Sequence, residues 1–263
     1  MKTHIDYLKH LAEESARFSA AIRTAPSDAR VPACPAWAAD DLLWHLGTVQ
    51  WFWAAIVREK LPGPQVEEIK PARPAGREAL LAFFDDAGLE LGRALAAASP
   101  QDPAWTWSTD QSVGFIQRKQ THEALIHRVD AEETAGSRTG MDPELCADGV
   151  DEALRVMYCG LPDWGTFTPD GRALRLQATD TGDSWLVQLG RFTGTDPNGT
   201  SYDELDIHVA EDDQDQPPVA WASAGAADLD LWLWHRTPTD PVALTGDEEV
   251  LREFQAVIAS GLS

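Results

Sequence analysis

The sequence predicts an α+β protein, a helical N-terminal bundle followed by a smaller C-terminal domain of mostly antiparallel strands with helices. Three observations lead there. Long stretches before residue 162 repeat apolar residues at helical spacing, and stretches after it alternate apolar with polar residues. The join, "CGLPDWGTFTPDGR", is rich in Gly, Pro and Asp. The expected division is therefore residues 1–162 and 163–263.

Ile5, Leu8, Leu11, Phe18 and Ile22 recur at helical spacing and predict a first helix. "SDARVPACPAW", with its two prolines, reads as a loop. "ADDLLWHLGTVQWFWAAIVREK" is a second helix, with Asp40 and Asp41 at its positive end and Lys60 at its negative end. "LPGPQ" and "KPARPAG" read as loops. "REALLAFFDDAGLELGRALAAA" is a third helix, and a fourth runs from about Gly114 to Thr134. "DPELCADGVDEALRVMY" is a fifth, with Asp142 as N-cap and Pro143 at the first helical position. Long helices with short breaks point to an up-and-down four-helix bundle.

Beyond the join, "RALRLQATD", "SWLVQLGRF", "DELDIHVAE" and "PVAWASAG" read as strands. "AADLDLWLWHR" is an amphipathic helix, "PVALTG" a short strand and "DEEVLREFQAVIAS" a terminal helix. The acidic run "AEDDQDQPP" reads as an exposed hairpin loop.

Composition limits function. With 21 basic against 43 acidic residues the net charge is −22, which repels phosphate backbones and argues against nucleic acid as a partner. Only five basic residues are lysine, a bias that fits a high-GC bacterial source. The three cysteines, Cys34, Cys146 and Cys159, are scattered without a CxxC pair, which favours a reducing cytoplasm over a disulfide framework. The N-terminal "MKTHIDYLKHLAEESARF" lacks the apolar run of a signal peptide, and no stretch approaches a membrane span. A cytoplasmic monomer without a membrane partner is the expectation.

The chemistry concentrates in "THEALIHRVDAEE". On a helix, Glu123, His127 and Asp130 share about 60° of arc, while Phe115, Leu125, Ile126 and Val129 lie about 100° or more away. Glu at i and His at i+4 present an oxygen and a nitrogen to one ion, as bundle metal sites do. A third donor must come from another segment, and "LLWHLG" offers His45 amid Leu42, Leu43, Trp44 and Leu46. Two imidazoles and a carboxylate suit zinc with an open coordination position, and iron or nickel also accept that set. Asp130 can orient His127 or a ligand.

Each piece also has a plainer reading. His45 alone fits a satisfied core histidine, and Glu123 with His127 fits a helix-stabilising i,i+4 contact. His122 reads as packing, and Cys34 as a small buried residue or a fourth, thiolate ligand.

"VPACPAWAADDLLWHLG" followed by "THEALIHRVDAEE" resembles the paired signature of the mycothiol-dependent maleylpyruvate isomerase family, whose N-terminal half is a DinB-like bundle. "SAGAADLDLWLWHRTPTDPVALTGDEEVLREF" resembles that family's smaller α+β domain, and together the motifs span nearly the whole chain. The resemblance implies His45, Glu123 and His127 as zinc ligands, the trio that helix geometry selects. It also implies Asp130 and Arg236 as catalytic residues, with Arg236 reaching into a cleft that the C-terminal domain closes. Without the resemblance, Arg236 is a surface arginine near a helix C-terminus. Ala36, Ala38, Val129 and His235 depart from the family pattern, which otherwise has Gly, a capping Thr or Ser, Trp and Gly there.

The implied cofactors are zinc and mycothiol, a low-molecular-weight thiol. The implied reaction is cis–trans isomerisation of a small maleylpyruvate-like substrate, by thiolate addition, bond rotation and thiol departure. Two alternatives stay open on the residues: a mycothiol S-transferase that detoxifies electrophiles, and a non-catalytic metal-binding or thiol-sensing module.

Overall fold

The computed structural model describes residues 5–211, 217–237 and 241–259. The chain divides into two compact units, Met1–Gly140 and Met141–Ser263. In the first, α1 (Tyr7–Thr24) opens with Asp6, whose side chain accepts from Lys9 N at 3.1 Å. A short hairpin of β1 (Arg30–Val31) and β2 (Cys34–Ala38) follows, where a loop was expected. Strands of two and five residues around two prolines carry too little periodicity to read from sequence.

Next comes α2 (Ala39–Glu59). Ala38 has no side-chain acceptor, so only half of the usual reciprocal cap forms: Ala38 N donates to Asp41 Oδ2 at 2.9 Å. That hydrogen bond and the neighbouring Arg73 keep the Asp41 carboxyl below its ordinary range. Lys60 ends the helix in the left-handed region, φ 54°. The short α3 (Gly63–Glu68) occupies part of the expected "LPGPQ" loop. Pro64 falls in its first turn, where a missing N–H costs nothing, and Val66 is buried. The last two helices of this unit are α4 (Arg77–Ala97) and α5 (Val113–Thr134).

The four long helices form the bundle, around a core that includes Phe18, Ile22, Leu42, Leu43, Leu46, Leu80 and Phe84. Their directions do not alternate strictly. Asp40 meets Arg77, Trp44 meets Phe83 and Arg58 meets Glu90, so α2 and α4 run the same way. Thr121 meets Tyr7 and Arg128 meets Glu14, so α5 runs with α1. The order is up, down, down, up. The segment holding α3 is long enough to return the chain along the bundle, which tight connections could not do.

The second unit begins with α6 (Pro143–Glu152), capped by Asp142 as its sequence predicts, and continues into a π-helical turn, Ala153–Tyr158. The unit boundary thus falls before α6 rather than at residues 162/163, because α6 packs against α7 (Ala226–Leu233) of the same unit. Helical periodicity reveals that a segment is a helix, not what it packs on.

A five-stranded sheet has the order β5-β4-β3-β6-β7, from β3 (Gly165–Ala178), β4 (Ser184–Thr195), β5 (Ser201–Val209), β6 (Ala220–Ala224) and β7 (Ala243–Gly246). All neighbours are antiparallel except β3 and β6. β3 starts seven residues before its expected edge at Arg172. The "PDG" turn residues sit inside it as an irregularity between Pro169 and Ala173, with Gly171 at φ 90°. The terminal α8 (Glu248–Ile258) lays Val250, Phe254 and Ile258 on the sheet. Residues 212–216 of the expected acidic loop lie outside the described residues. All three cysteines are free thiols, and no helix among the described residues is long and apolar enough to cross a membrane.

Candidate metal centre

The centre is built on α5. Ser112 caps that helix by accepting from Phe115 N at 3.1 Å, and the helix is buried on almost every side. Its polar residues therefore have to find partners inside the unit. His45, on α2, faces them.

The three proposed ligands come together. Nε2 of His45 lies 3.3 Å from Oε1 of Glu123, and Nε2 of His127 lies 3.2 Å from the same oxygen. One ligand atom from each residue falls within 4.8 Å of the others, and no other such group of His, Cys, Asp or Glu occurs among the described residues. Around a tetrahedral ion with bonds of about 2.0–2.1 Å, neighbouring ligand atoms stand about 3.3 Å apart. Two of the three separations already match. The donor set therefore fits a divalent cation with room for an outside ligand.

Asp130 plays a different part from that of a converging ligand. It is fully buried, and Nδ1 of His127 pairs with its Oδ2 at 2.9 Å. With the ring proton on Nδ1, the lone pair of Nε2 is directed toward Glu123 and His45. Burial alone would lower the His127 pKa. The carboxylates of Asp130 and Glu123, one on each ring nitrogen, override it and push the value up to about 9. Burial likewise opposes the charge on Glu123, yet Lys119 and the two imidazoles hold its carboxyl well below the ordinary range. At neutral pH the metal-free cluster thus keeps a proton where an ion would sit.

Two neighbours escaped the sequence reading. Lys119, one helical turn before Glu123, is buried with Nζ 3.2 Å from Glu123 Oε2. Its i,i+4 spacing was visible, but a lysine is ordinarily read as a solvated surface residue. Trp37, on β2, sets its ring at a tilt to both imidazoles, with centroids 4.8 Å from His45 and 6.4 Å from His127. The signal for Trp37 was its place in "CPAW" directly before α2.

The other candidates are not among the three clustered ligands. Cys34 is half-buried at the start of β2 and is not in the ligand group. His122 packs against Tyr7, ring centroids 6.5 Å apart. Arg236 belongs to the second unit, where its Nη1 donates to Trp234 O at 2.7 Å and its guanidinium stands 5.9 Å from the Trp234 ring. Next to it, His235 holds φ 57° and pairs Nε2 with Ile258 O at 2.6 Å.

Comparison with known proteins bears on both halves of the chain. Residues 8–132 match the model of the mycothiol maleylpyruvate isomerase N-terminal domain, and residues 144–253 match that of the C-terminal domain of the same isomerase. No curated protein sequence matches the chain. Two crystal structures share its fold: mycothiol-dependent maleylpyruvate isomerase, with a TM-score of 0.57, and a histidine-to-alanine mutant of that enzyme, with 0.59. Each is 12% identical and covers 92% of this chain and 93% of the other. The chain belongs to the mycothiol-dependent maleylpyruvate isomerase family.

Proposed function

We propose that this protein is a zinc-dependent enzyme that uses mycothiol to isomerise a small maleylpyruvate-like cis-ene-dioate, as a cytoplasmic monomer. The observation that carries the reading is the meeting of His45 Nε2, Glu123 Oε1 and His127 Nε2, with Asp130 fixing the tautomer of His127. When bound, the ion and the thiol supply a thiolate nucleophile at neutral pH. Everything else falls to the chain's own residues.

His45, Glu123 and His127 hold the ion. Asp130 keeps Nδ1 of His127 engaged, so that the ring cannot turn its other nitrogen away. Lys119 occupies Glu123 Oε2, which leaves Oε1 alone for coordination and keeps a position open for the thiol. Trp37 lies against the His45 ring and limits its rotation. In the same reading, Arg236 binds a substrate carboxylate through its planar two-pronged donor set. Iron or nickel would suit the same ligands, so metal analysis is part of the test.

The test combines metal analysis with turnover. Protein purified with zinc present should carry about one ion per chain, bind mycothiol only while metal-loaded, and convert maleylpyruvate with the thiol returned unconsumed. Arg236→Lys should raise KM more than it lowers kcat. A protein without stoichiometric metal, or one whose mycothiol affinity survives chelation, would overturn the proposal. Stoichiometric consumption of the thiol would make it an S-transferase instead.

A further inference from the structure

On the other side of α2, the first unit holds a cavity that the proposed chemistry does not use. It lies between α1 and α4, has a volume of about 620 Å³, and is walled by Leu11, Ala12, Ala16, Phe84, Leu89 and Gly92. Gln50 of α2 also lines it. Gln50 follows His45 by five residues, so it projects about 140° away around the helix, apart from the candidate metal centre.

Gln50 is 1% exposed, and its Nε2 donates to Ser15 Oγ at 2.9 Å. Its Oε1 has no hydrogen-bond partner among the described residues. Exchanging the amide's oxygen and nitrogen would only move the unmet group, since a single partner is within reach either way. Buried amides are seldom left half-paired, and an unmet one beside a cavity marks a place for a ligand. The opposite wall is shaped to match. Oε1 lies 3.0 Å from where a Cβ would stand on Gly88, so the glycine lets the oxygen approach α4 closely. One turn on, a Cβ on Gly92 would meet nothing within 4 Å, so the space there is open.

We propose that this cavity binds a small, mostly apolar molecule carrying one hydroxyl or carboxamide, whose N–H or O–H donates to Gln50 Oε1 while its body lies along the Ala and Leu walls. The volume is that of an ordinary small-molecule site, and a mostly apolar lining with a few polar groups, here Gln50 with Ser15, Ser19, Asp85 and Arg93, is the usual composition of such sites. A ligand without a donor would leave the amide unmet and bind more weakly. The inference does not depend on the metal, since none of these residues belongs to the candidate centre.

Calorimetric titration of the full chain with 1-naphthol, and with naphthalene as its hydroxyl-free counterpart, tests the proposal. One saturable site per chain is expected, with 1-naphthol favoured by about tenfold, the worth of one hydrogen bond. Gln50→Leu, close in size, should erase that preference. Gly92→Leu should weaken 1-naphthol binding by about tenfold or more while improving helix propensity, so loss of fold would not explain its effect. Unchanged metal content in both variants separates this result from any failure at the metal centre. The proposal is overturned if binding is non-saturable, if 1-naphthol and naphthalene bind equally, or if Gly92→Leu leaves binding intact. It is equally overturned if the wild-type chain is a dimer that Gly92→Leu converts to monomer, because a second copy would then fill the cavity.

Discussion

Nζ of Lys119 lies 3.2 Å from Oε2 of Glu123, while Oε1 of the same carboxylate faces His45 and His127. One oxygen is committed to the lysine and the other to the imidazoles. A cation entering the cluster therefore meets a one-oxygen ligand and a nearby positive charge that weakens its binding. Lys119→Met removes both constraints. Zinc affinity should rise by about tenfold, since unit charges a few ångströms apart in a partly buried site interact by more than 1 kcal/mol. Activity should fall, because a carboxylate free to bind through both oxygens fills the open position. Competitive zinc titration, together with the visible spectrum of the cobalt-loaded protein, checks both; an unchanged or lower affinity contradicts the argument.

Asp130 acts on the metal only through His127, so its loss should weaken binding without abolishing it. Asp130→Ala should cost about 10- to 100-fold in zinc affinity, the usual effect of removing a carboxylate behind a ligating histidine. The metal-free protein gives a second readout. The folded-state pKa of His127 is raised from 6.5 to about 9, so its contribution to stability is full below 6.5 and disappears as pH rises through about 9. Urea unfolding of metal-free protein between those limits should show stability falling with pH, with a smaller slope in Asp130→Ala. Equal slopes would mean that Asp130 does not hold the His127 proton.

The four long helices and the Glu123/His127/His45 trio are legible because both depend on regular spacing. Apolar residues every three or four positions mark α1, α2 and α4, and i,i+4 spacing sets Glu123 beside His127. What escapes the sequence depends on packing partners. α5 buries Lys119, Arg128 and Glu132 along with Leu125 and Ile126, so its polar residues do not mark an outer face. α6 is periodic whichever unit it joins, and the shared direction of α2 and α4 follows from the length of a connection rather than from any motif. Pro64 of α3 and the "PDG" inside β3 carry breaker chemistry, yet one falls in a tolerated first turn and the other in a bulge.

Arg128 shows what such burial costs. It is fully buried, with Nε 2.6 Å from Glu14 Oε2 and Nη1 3.0 Å from Glu132 Oε2. Arg128→Met would leave the buried Glu14 and Glu132 carboxylates with only the partly exposed Arg17 as cation, a loss of about 3 kcal/mol. Chemical denaturation at neutral pH measures it. Acid should narrow the gap. Burial works against the Glu132 charge, but Thr139 and Arg128 hold its carboxyl below the ordinary 4.5. Its stabilising contribution is therefore present above 4.5 and is lost as pH falls through the lower folded value. The variant and wild type should converge in stability at low pH, and a gap that persists there would show that packing of the arginine stem, not charge, was lost.

His45→Ala separates a ligand from a core histidine. The His45 side chain is 27% exposed; it pairs with the Glu123 carboxylate and its ring meets those of Trp37 and His127. The leucines beside it, Leu42, Leu43 and Leu46, belong to the hydrophobic core with Phe18, Ile22 and Phe84. Truncation should cost the metal-free protein less than about 1 kcal/mol, as partly exposed positions usually do. The same change takes away one of three ligands, and two donors from a single helix hold zinc poorly. Zinc should then no longer raise the melting temperature of the variant, although it raises that of the wild type. If His45→Ala instead melts well below the wild type before any metal is added, the imidazole is a structural member of the core, and the cluster loses its third ligand.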